Sequence, residues 1–272
     1  MQSQEVQTTL TGALGLTGTP LVAFVGAGGK TTALQMLTEE LAGGGSGVLT
    51  TTTTMMLASQ LLSVGPLLLE DDGDSLAVRA AEALTRTRAV SLAGSYASAE
   101  KVRGLAPTTV DALWKQQVAD AVVVEADGSR GLPLKAFGTA EPQLPSSTTT
   151  AVVLAGLDAL GQRLDEKHVH RADLLAAALG VKRKTRMGPD LLGSALALQV
   201  VRVRTSATQA RVVVLLNKAD DDQLAAQGAS VSEDLLRAAV SSCGQPASGR
   251  PDLVVVGSLL RRTYRVFGAS IP

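Results

Sequence analysis

The sequence predicts an α/β fold, a mostly parallel sheet with helices on both faces, in a chain of 272 residues. Three observations carry that expectation. Short apolar runs recur at Leu21–Val25, Ala121–Val124, Ala151–Ala155, Arg211–Leu216 and Leu253–Val256, continuous rather than alternating, as strands covered on both faces require. Stretches with helical spacing separate them, such as Thr31–Ala42 with Leu34, Leu37 and Leu41 on one side. Hydrophobic residues at 45% and charged ones at 18% suit a packed core rather than a disordered chain.

The same composition excludes several function classes. A formal net charge of +0 and 2% aromatics argue against nucleic-acid binding, and no apolar run reaches the length of about 18 residues that a membrane span needs. The single cysteine, Cys243, rules out an internal disulfide or a multi-cysteine metal cage. The N-terminus lacks the basic-then-apolar order of a signal peptide, so a cytoplasmic location is expected. The apolar excess is compatible with a homodimer.

Taken in order, residues 1–20 read as a polar leader with room for a short helix, and Pro20 introduces the first strand. Gly47–Thr54 holds a second strand that ends in five threonines. Met56–Leu62 is expected to be helical, Leu67–Leu69 a short strand, Ser75–Arg86 a helix and Ala89–Ala93 a strand. A polar loop with Lys101 and Arg103, read as solvent-facing charge, leads to a helix over Thr108–Val118 capped by Thr108 or Thr109. Residues 129–148 carry too many prolines and glycines for regular structure, and a loop of that length is usually functional. Amphipathic helix begins at Val169 and again near Met187. Asp221–Val240 is helical with an interruption at Gly228, and Leu253–Val256 closes the sheet, leaving Arg261, Arg262 and Tyr264 in a tail.

The organising stretch is LVAFVGAGGKTT, Leu21 to Thr32. Gly26, Ala27, Gly28 and Gly29 form a turn in which backbone amides can converge, and the helix that follows aims its positive end at the same place. Lys30 can reach the oxygens of a phosphate chain, the Thr31 hydroxyl can ligate Mg, and Thr32 continues the turn. This pattern predicts a P-loop NTPase-like nucleotide-binding domain over residues 21–272, with room for a small inserted subdomain within 129–205. The usual loop has a further glycine six positions before the lysine, where this chain has Phe24, so GTP and ATP both stay open as the nucleotide.

Two further segments end apolar runs in the same way. Glu125, with Asp127 and Gly128, can hold Mg or position an attacking water, two roles the sequence does not divide between the carboxylates. The catalytic candidates are therefore Lys30, Glu125 and Asp127, and the metal candidates Thr31 and Glu125. Asn217-Lys218-Ala219-Asp220 places an aspartate where it can accept two hydrogen bonds from guanine, an asparagine that braces the loops, and a lysine stem along the ring. Thr51, Thr52 and Thr53 offer hydroxyls at another strand end, where open α/β sheets bind ligands.

Together, FVGAGGKTT, LTTTTTMM, EADGSRGLPLKAF, AGLDALGQRL and LLNKAD resemble, in matching order, the YqeC family. More distantly the chain resembles the GTPases of metalloenzyme maturation, while its short glycine spacing is similar to that of ATP-using peptide ligases. The YqeC resemblance implies an accessory role in maturation of a selenium-dependent molybdenum hydroxylase, with that enzyme or its cofactor-assembly proteins as partners. It carries phosphate and Mg to Lys30 and Thr31, metal to Glu125, and the base to Asn217 and Asp220. Family-like residues elsewhere, namely Arg130, Lys135, Glu141, Asp158, His168, His170 and Arg171, are the candidates for a second substrate beside Thr52 and Thr53, with Arg130 and Lys135 facing an anionic pterin tail or the γ-phosphate. The two histidines stand two apart, which does not place them on one helix face. Three functions stay open: a Mg-dependent GTPase, an ATP- or GTP-dependent transferase or ligase acting on a pterin cofactor or small acid, and a non-catalytic cofactor-binding scaffold.

Overall fold

Valine-rich runs form the centre of a nine-stranded sheet in a computed structural model that describes residues 6–71, 75–237 and 249–268. The strands, in chain order, are β1 (Leu21–Gly26), β2 (Val48–Thr52), β3 (Leu67–Leu69), β4 (Ala89–Ala93) and β5 (Ala121–Glu125). They continue with β6 (Thr150–Gly156), β7 (Arg211–Asn217), β8 (Leu253–Ser258) and β9 (Thr263–Gly268). In space they run β9-β8-β7-β6-β1-β5-β2-β4-β3, parallel throughout except for β9, which pairs antiparallel with β8.

Both faces of this sheet are covered, which explains why the runs do not alternate. Val22 and Phe24 of β1 pack with Leu34 and Leu37 of α2 (Lys30–Gly43) on one face. Leu21, Ala23 and Val25 face the other way, into a larger core shared with α5 (Pro107–Lys115), α6 (Ala172–Leu179), α7 (Pro189–Ser206) and α8 (Asp222–Arg237). Two shorter helices, α3 (Ala58–Leu62) and α4 (Leu76–Leu84), cover the β3–β4 edge. At about 25 cal/mol per Å² of apolar surface removed from water, this two-sided burial is the dominant favourable contribution to the fold.

Several elements differ from the sequence expectations, each for a local reason. The leader does hold the short helix it had room for, α1 (Leu10–Leu14), but its Leu10 and Leu14 are fully buried against α2. Glu40 of α2 accepts hydrogen bonds from the Leu10 and Thr11 amides at 2.9 and 2.8 Å, tying that helix down. Met56–Leu57 is a strand paired with Lys101–Val102 inside the expected polar loop, and Val169–His170 pairs with Leu134–Lys135 instead of beginning a helix. Neither Thr108 nor Thr109 caps α5; its N-cap is Ala106, with Pro107 in the first turn.

The expected break at Gly228 does not occur, because α8 runs through it and uses the missing side chain to pack. A Cβ there would stand 2.7 Å from Val256 Cγ1 and 3.1 Å from Leu157 Cδ1. The expected tail is β9, whose Tyr264 is fully buried with its hydroxyl 3.1 Å from Met36 Sδ. Cys243 and the final three residues of the expected 221–240 helix lie outside the described residues.

Candidate functional site

Parallel strands bring their C-terminal ends to one edge, and at that edge β1, β5, β6 and β7 present the segments singled out above. Pairing of Phe24 with Glu125 in register sets β5's carboxylate beside the turn that leaves β1. The turn is tightly wedged. Gly28 has φ +81°, and a Cβ there would come within 2.7 Å of Gly156 Cα; Gly29 has φ +128°, and a Cβ would meet Asn217 Nδ2 at 2.5 Å. Only glycine fits such backbone angles and approaches without strain.

Lys30, the first residue of α2, is 3% exposed and turns back over this wedge. Its Nζ donates to the Gly26 carbonyl at 2.9 Å and to Ser129 Oγ at 3.0 Å, and stands 3.1 Å from Asp127 Oδ1 and 3.7 Å from Glu125 Oε1. The Thr31 hydroxyl donates to Glu125 Oε2 at 2.9 Å, so a hydroxyl oxygen and a carboxylate oxygen lie side by side. Burial pushes the Glu125 carboxyl above its ordinary pKa, against the lowering effect of Lys30 and the Thr31 bond.

The loop amides are distributed differently from the sequence expectation of a fully converging cradle. Gly26 N–H donates to Asp127 Oδ2 at 2.9 Å, Ala27 N–H to the Leu154 carbonyl at 2.9 Å and Gly28 N–H to the Leu132 carbonyl at 3.0 Å. The amides of the first turn of α2, including Lys30, Thr31 and Thr32, have no partner within the helix and lie at its positive end.

Asp127 is fully buried and extends the cluster inward. Its Oδ2 is 3.0 Å from Lys135 Nζ, which is itself fully buried and donates to Glu141 Oε2 at 2.8 Å and to the Gly128 carbonyl at 2.6 Å. Arg171 then pairs with both oxygens of Glu141. The result is an alternating row, Lys30–Asp127–Lys135–Glu141–Arg171. Burial alone would raise the Glu141 pKa, but hydrogen bonds from Arg171, Lys135 and the Gly138 amide outweigh it and hold the value at about 2.

At the far side of the edge, Asn217 does brace loops: its Nδ2 donates to the Gly28 carbonyl at 2.8 Å and its Oδ1 accepts from the Leu259 amide at 3.1 Å. Lys218, at φ +67°, pairs with Asp158 at 2.6 Å, and Asp220 Oδ1 accepts from Ser258 Oγ at 2.5 Å. Ser258 and Leu259 were not singled out by sequence; the signal was their place at the end of β8 and just beyond it, beside β7. Ser129 and Gln199 were missed too. The first lies in a long loop and the second mid-helix in α7, where its Nε2 donates to the Lys135 carbonyl at 2.8 Å.

Other candidates have structural partners. The Thr51 hydroxyl donates to the Leu92 carbonyl at 2.8 Å, Thr52 to the Glu125 carbonyl at 2.9 Å and Thr53 to the Gln143 carbonyl at 2.7 Å. Arg130 is exposed at φ +54°. His168 Nδ1 is 2.7 Å from Asp165, whereas His170 is buried and its pKa is lowered by burial and by Arg171, Lys135 and Arg130 nearby. No group of three or more His, Cys, Asp or Glu side chains is placed to hold a metal among the described residues. Nor is any helix among them long and apolar enough to cross a membrane.

Comparison with known proteins bears on the same residues. Similarity extends to a protein of Escherichia coli (strain K12) named Uncharacterized protein YqeC, 38% identical over 81 residues. That stretch is 30% of this chain and spans about a third (32%) of the length of that relative. The family model described as YqeC protein matches residues 22–173, which include β1, Lys30, Glu125, Asp127, Lys135, Glu141 and Arg171. More than half of the sequence is matched, and the chain belongs to the YqeC family.

Proposed function

We propose that the chain binds and hydrolyses a nucleoside triphosphate with Mg, GTP in preference to ATP, as an accessory factor in maturing a selenium-dependent molybdenum hydroxylase. The observation that supports this reading is the meeting of Lys30, Thr31 and Glu125 under the open first turn of α2. The triphosphate enters there as substrate, its terminal oxygens facing the amides of that turn. Lys30 leaves Asp127 for the β- and γ-phosphate oxygens, and Asp127 keeps the Gly26 amide and Lys135 as partners. Thr31 and Glu125 supply two adjacent hard oxygens that fit Mg, an ion that takes few protein ligands and several from phosphate and water. Bound there, Mg would neutralise charge on the phosphates. Glu125 and Asp127 are the carboxylates near enough to orient an attacking water; burial keeps the second paired.

The guanine preference rests on Asp220, oriented by Ser258, with Asn217 bracing the base-side loops against Gly28. A competition titration of GTP against ATP with Mg tests it. GTP is expected to bind at least tenfold tighter, and Asp220→Asn to erase the difference. Equal affinities in the unmodified protein would remove the base-reading role. A second reading, group transfer from ATP or GTP to a pterin cofactor or small acid, is favoured by the short loop with Phe24 in the glycine position. It predicts negligible hydrolysis without the acceptor.

A further inference from the structure

A cavity of about 580 Å³ opens between α6, α7 and the segment that follows Lys135, within the range of about 300–1,000 Å³ typical of small-molecule sites. Phe137, Leu174, Leu175 and Leu198 give it apolar walls, and Ala178 and Ala195 keep it wide where larger side chains would fill it. Leu174 and Leu198, on facing helices, are 51% and 41% exposed and flank its mouth.

The charged side chain that lines it is a cation. Among the described residues no carboxylate lines the cavity, while Arg202 does. Arg202 donates from Nε to the Glu141 carbonyl at 3.0 Å and from Nη2 to the Thr139 carbonyl, and makes no ion pair among the described residues. Among the described residues its guanidinium is held by carbonyl oxygens alone, at the rim of the cavity.

The wall is also joined to the phosphate loop by two routes. Glu141, Lys135 and Asp127 form the ion-pair row that ends on Lys30. Gln199 lines the cavity, is 3% exposed, donates to the Lys135 carbonyl, and leaves Oε1 without a hydrogen-bond partner 3.2 Å from where a Cβ on Gly26 would stand. Contacts already in place therefore link Lys30 and Gly26 to the wall.

We propose that this cavity binds a small organic anion with a flat apolar body, and that its affinity is coupled to occupancy of the phosphate loop. The first half stands on the cavity alone; the second rests on the nucleotide reading above.

The test uses the full chain and two fluorescent probes with the same apolar rings. 8-Anilinonaphthalene-1-sulfonate carries an anionic group and N-phenyl-1-naphthylamine does not. The sulfonate is expected to saturate one site and to bind at least fivefold tighter than the neutral probe. Arg202→Gln should bring the two together. Ala178→Trp, which places a ring over the cavity from an exposed position, should weaken both at least tenfold without changing the melting temperature. Leu198→Trp on the facing helix repeats the test should the first variant fold poorly. Saturable sulfonate binding that survives both tryptophan variants would overturn the site, and equal affinity for the two probes would overturn the preference for an anion.

Saturating nucleotide with Mg should shift the sulfonate Kd at least threefold, with a reciprocal shift in nucleotide affinity. Nucleotide that binds in a direct titration yet leaves the probe Kd unchanged overturns the coupling. Nucleotide that does not bind at all overturns the proposed function instead, while the probe titrations still decide the cavity.

Discussion

Glu141→Gln tests whether the buried ion-pair row stabilises the protein in the way its geometry implies. In the folded chain the Glu141 carboxylate accepts from Arg171, from Lys135 at 2.8 Å and from the Gly138 amide at 3.1 Å, which lowers its pKa from 4.5 to about 2. At about 1.4 kcal/mol for each pKa unit this corresponds to roughly 3 kcal/mol. Solvent reaches part of the side chain, which is 14% exposed, so we expect about 2–3 kcal/mol. The sign follows from the depressed pKa: the contribution is fully present above pH 4.5 and is lost as pH falls from there toward 2.

Urea denaturation of wild type and Glu141→Gln at pH 7 and pH 3 measures it. At pH 7 the variant should be less stable by about 3 kcal/mol, since Lys135 is left buried with one partner fewer. At pH 3 the gap should narrow by about 1.5–2 kcal/mol, because the wild-type carboxylate has lost most of its advantage. Other carboxylates, Glu125 among them, titrate in both proteins and drop out of the difference. A gap that stays constant from pH 7 to pH 3 would refute the reasoning, leaving Glu141 as a packing residue.

Three further outcomes follow from the geometry. Gly28→Ala forces a side chain against the Gly156 backbone at φ +81°, so denaturation should show a loss of at least about 3 kcal/mol, whereas Gly43→Ala, with open space around it at the end of α2, should cost nothing or stabilise by about 0.5–1 kcal/mol. Asp111→Ala removes the acceptor for the Ser146 and Ser147 amides at 3.0 and 2.7 Å that anchors the long loop to α5, and should lower stability by about 2–3 kcal/mol in the same assay. Lys30→Ala should abolish hydrolysis of GTP and ATP and weaken their binding at least tenfold in calorimetric titration with Mg; full activity in this variant would exclude a phosphate-contacting lysine.

The central strands were legible because a strand covered on both faces must be apolar along its covered length, as Leu21–Val25, Ala121–Val124, Ala151–Ala155 and Val212–Leu216 are. The tight turn that leaves β1 was legible because Gly26, Gly28 and Gly29 crowd the end of an apolar run, and all three take positive φ. What sequence could not show was pairing at a distance. Lys135 and Glu141 lie in a stretch whose prolines and glycines hide any periodicity, and their meeting with Asp127 and Arg171 depends on how β5, β6 and α6 are placed in space. β9 was missed for a related reason: Arg261, Arg262 and Arg265 signal solvent, and the buried residues Tyr264, Val266 and Phe267 are too few among them to read as a strand. The position of α1 within the leader was not legible, because it buries just three residues, too few to register as an amphipathic pattern.

The ion-pair row also explains how a lysine buried among carboxylates could still be free to bind phosphate. Lys30 holds two acceptors besides the acids, the Gly26 carbonyl and Ser129, so its ammonium is positioned without depending on one partner. Asp127 is the group at risk when Lys30 moves, because a fully buried carboxylate stripped of its cation would be costly. It is protected on its other oxygen by the Gly26 amide at 2.9 Å and Lys135 at 3.0 Å. Glu125 is protected similarly by Thr31. On the proposed reading, transfer of Lys30 to a phosphate therefore exchanges one anion for another while both carboxylates retain a donor. A lysine whose only partner was Asp127 would have to break a buried pair outright, at about 3–5 kcal/mol, before it could engage a nucleotide.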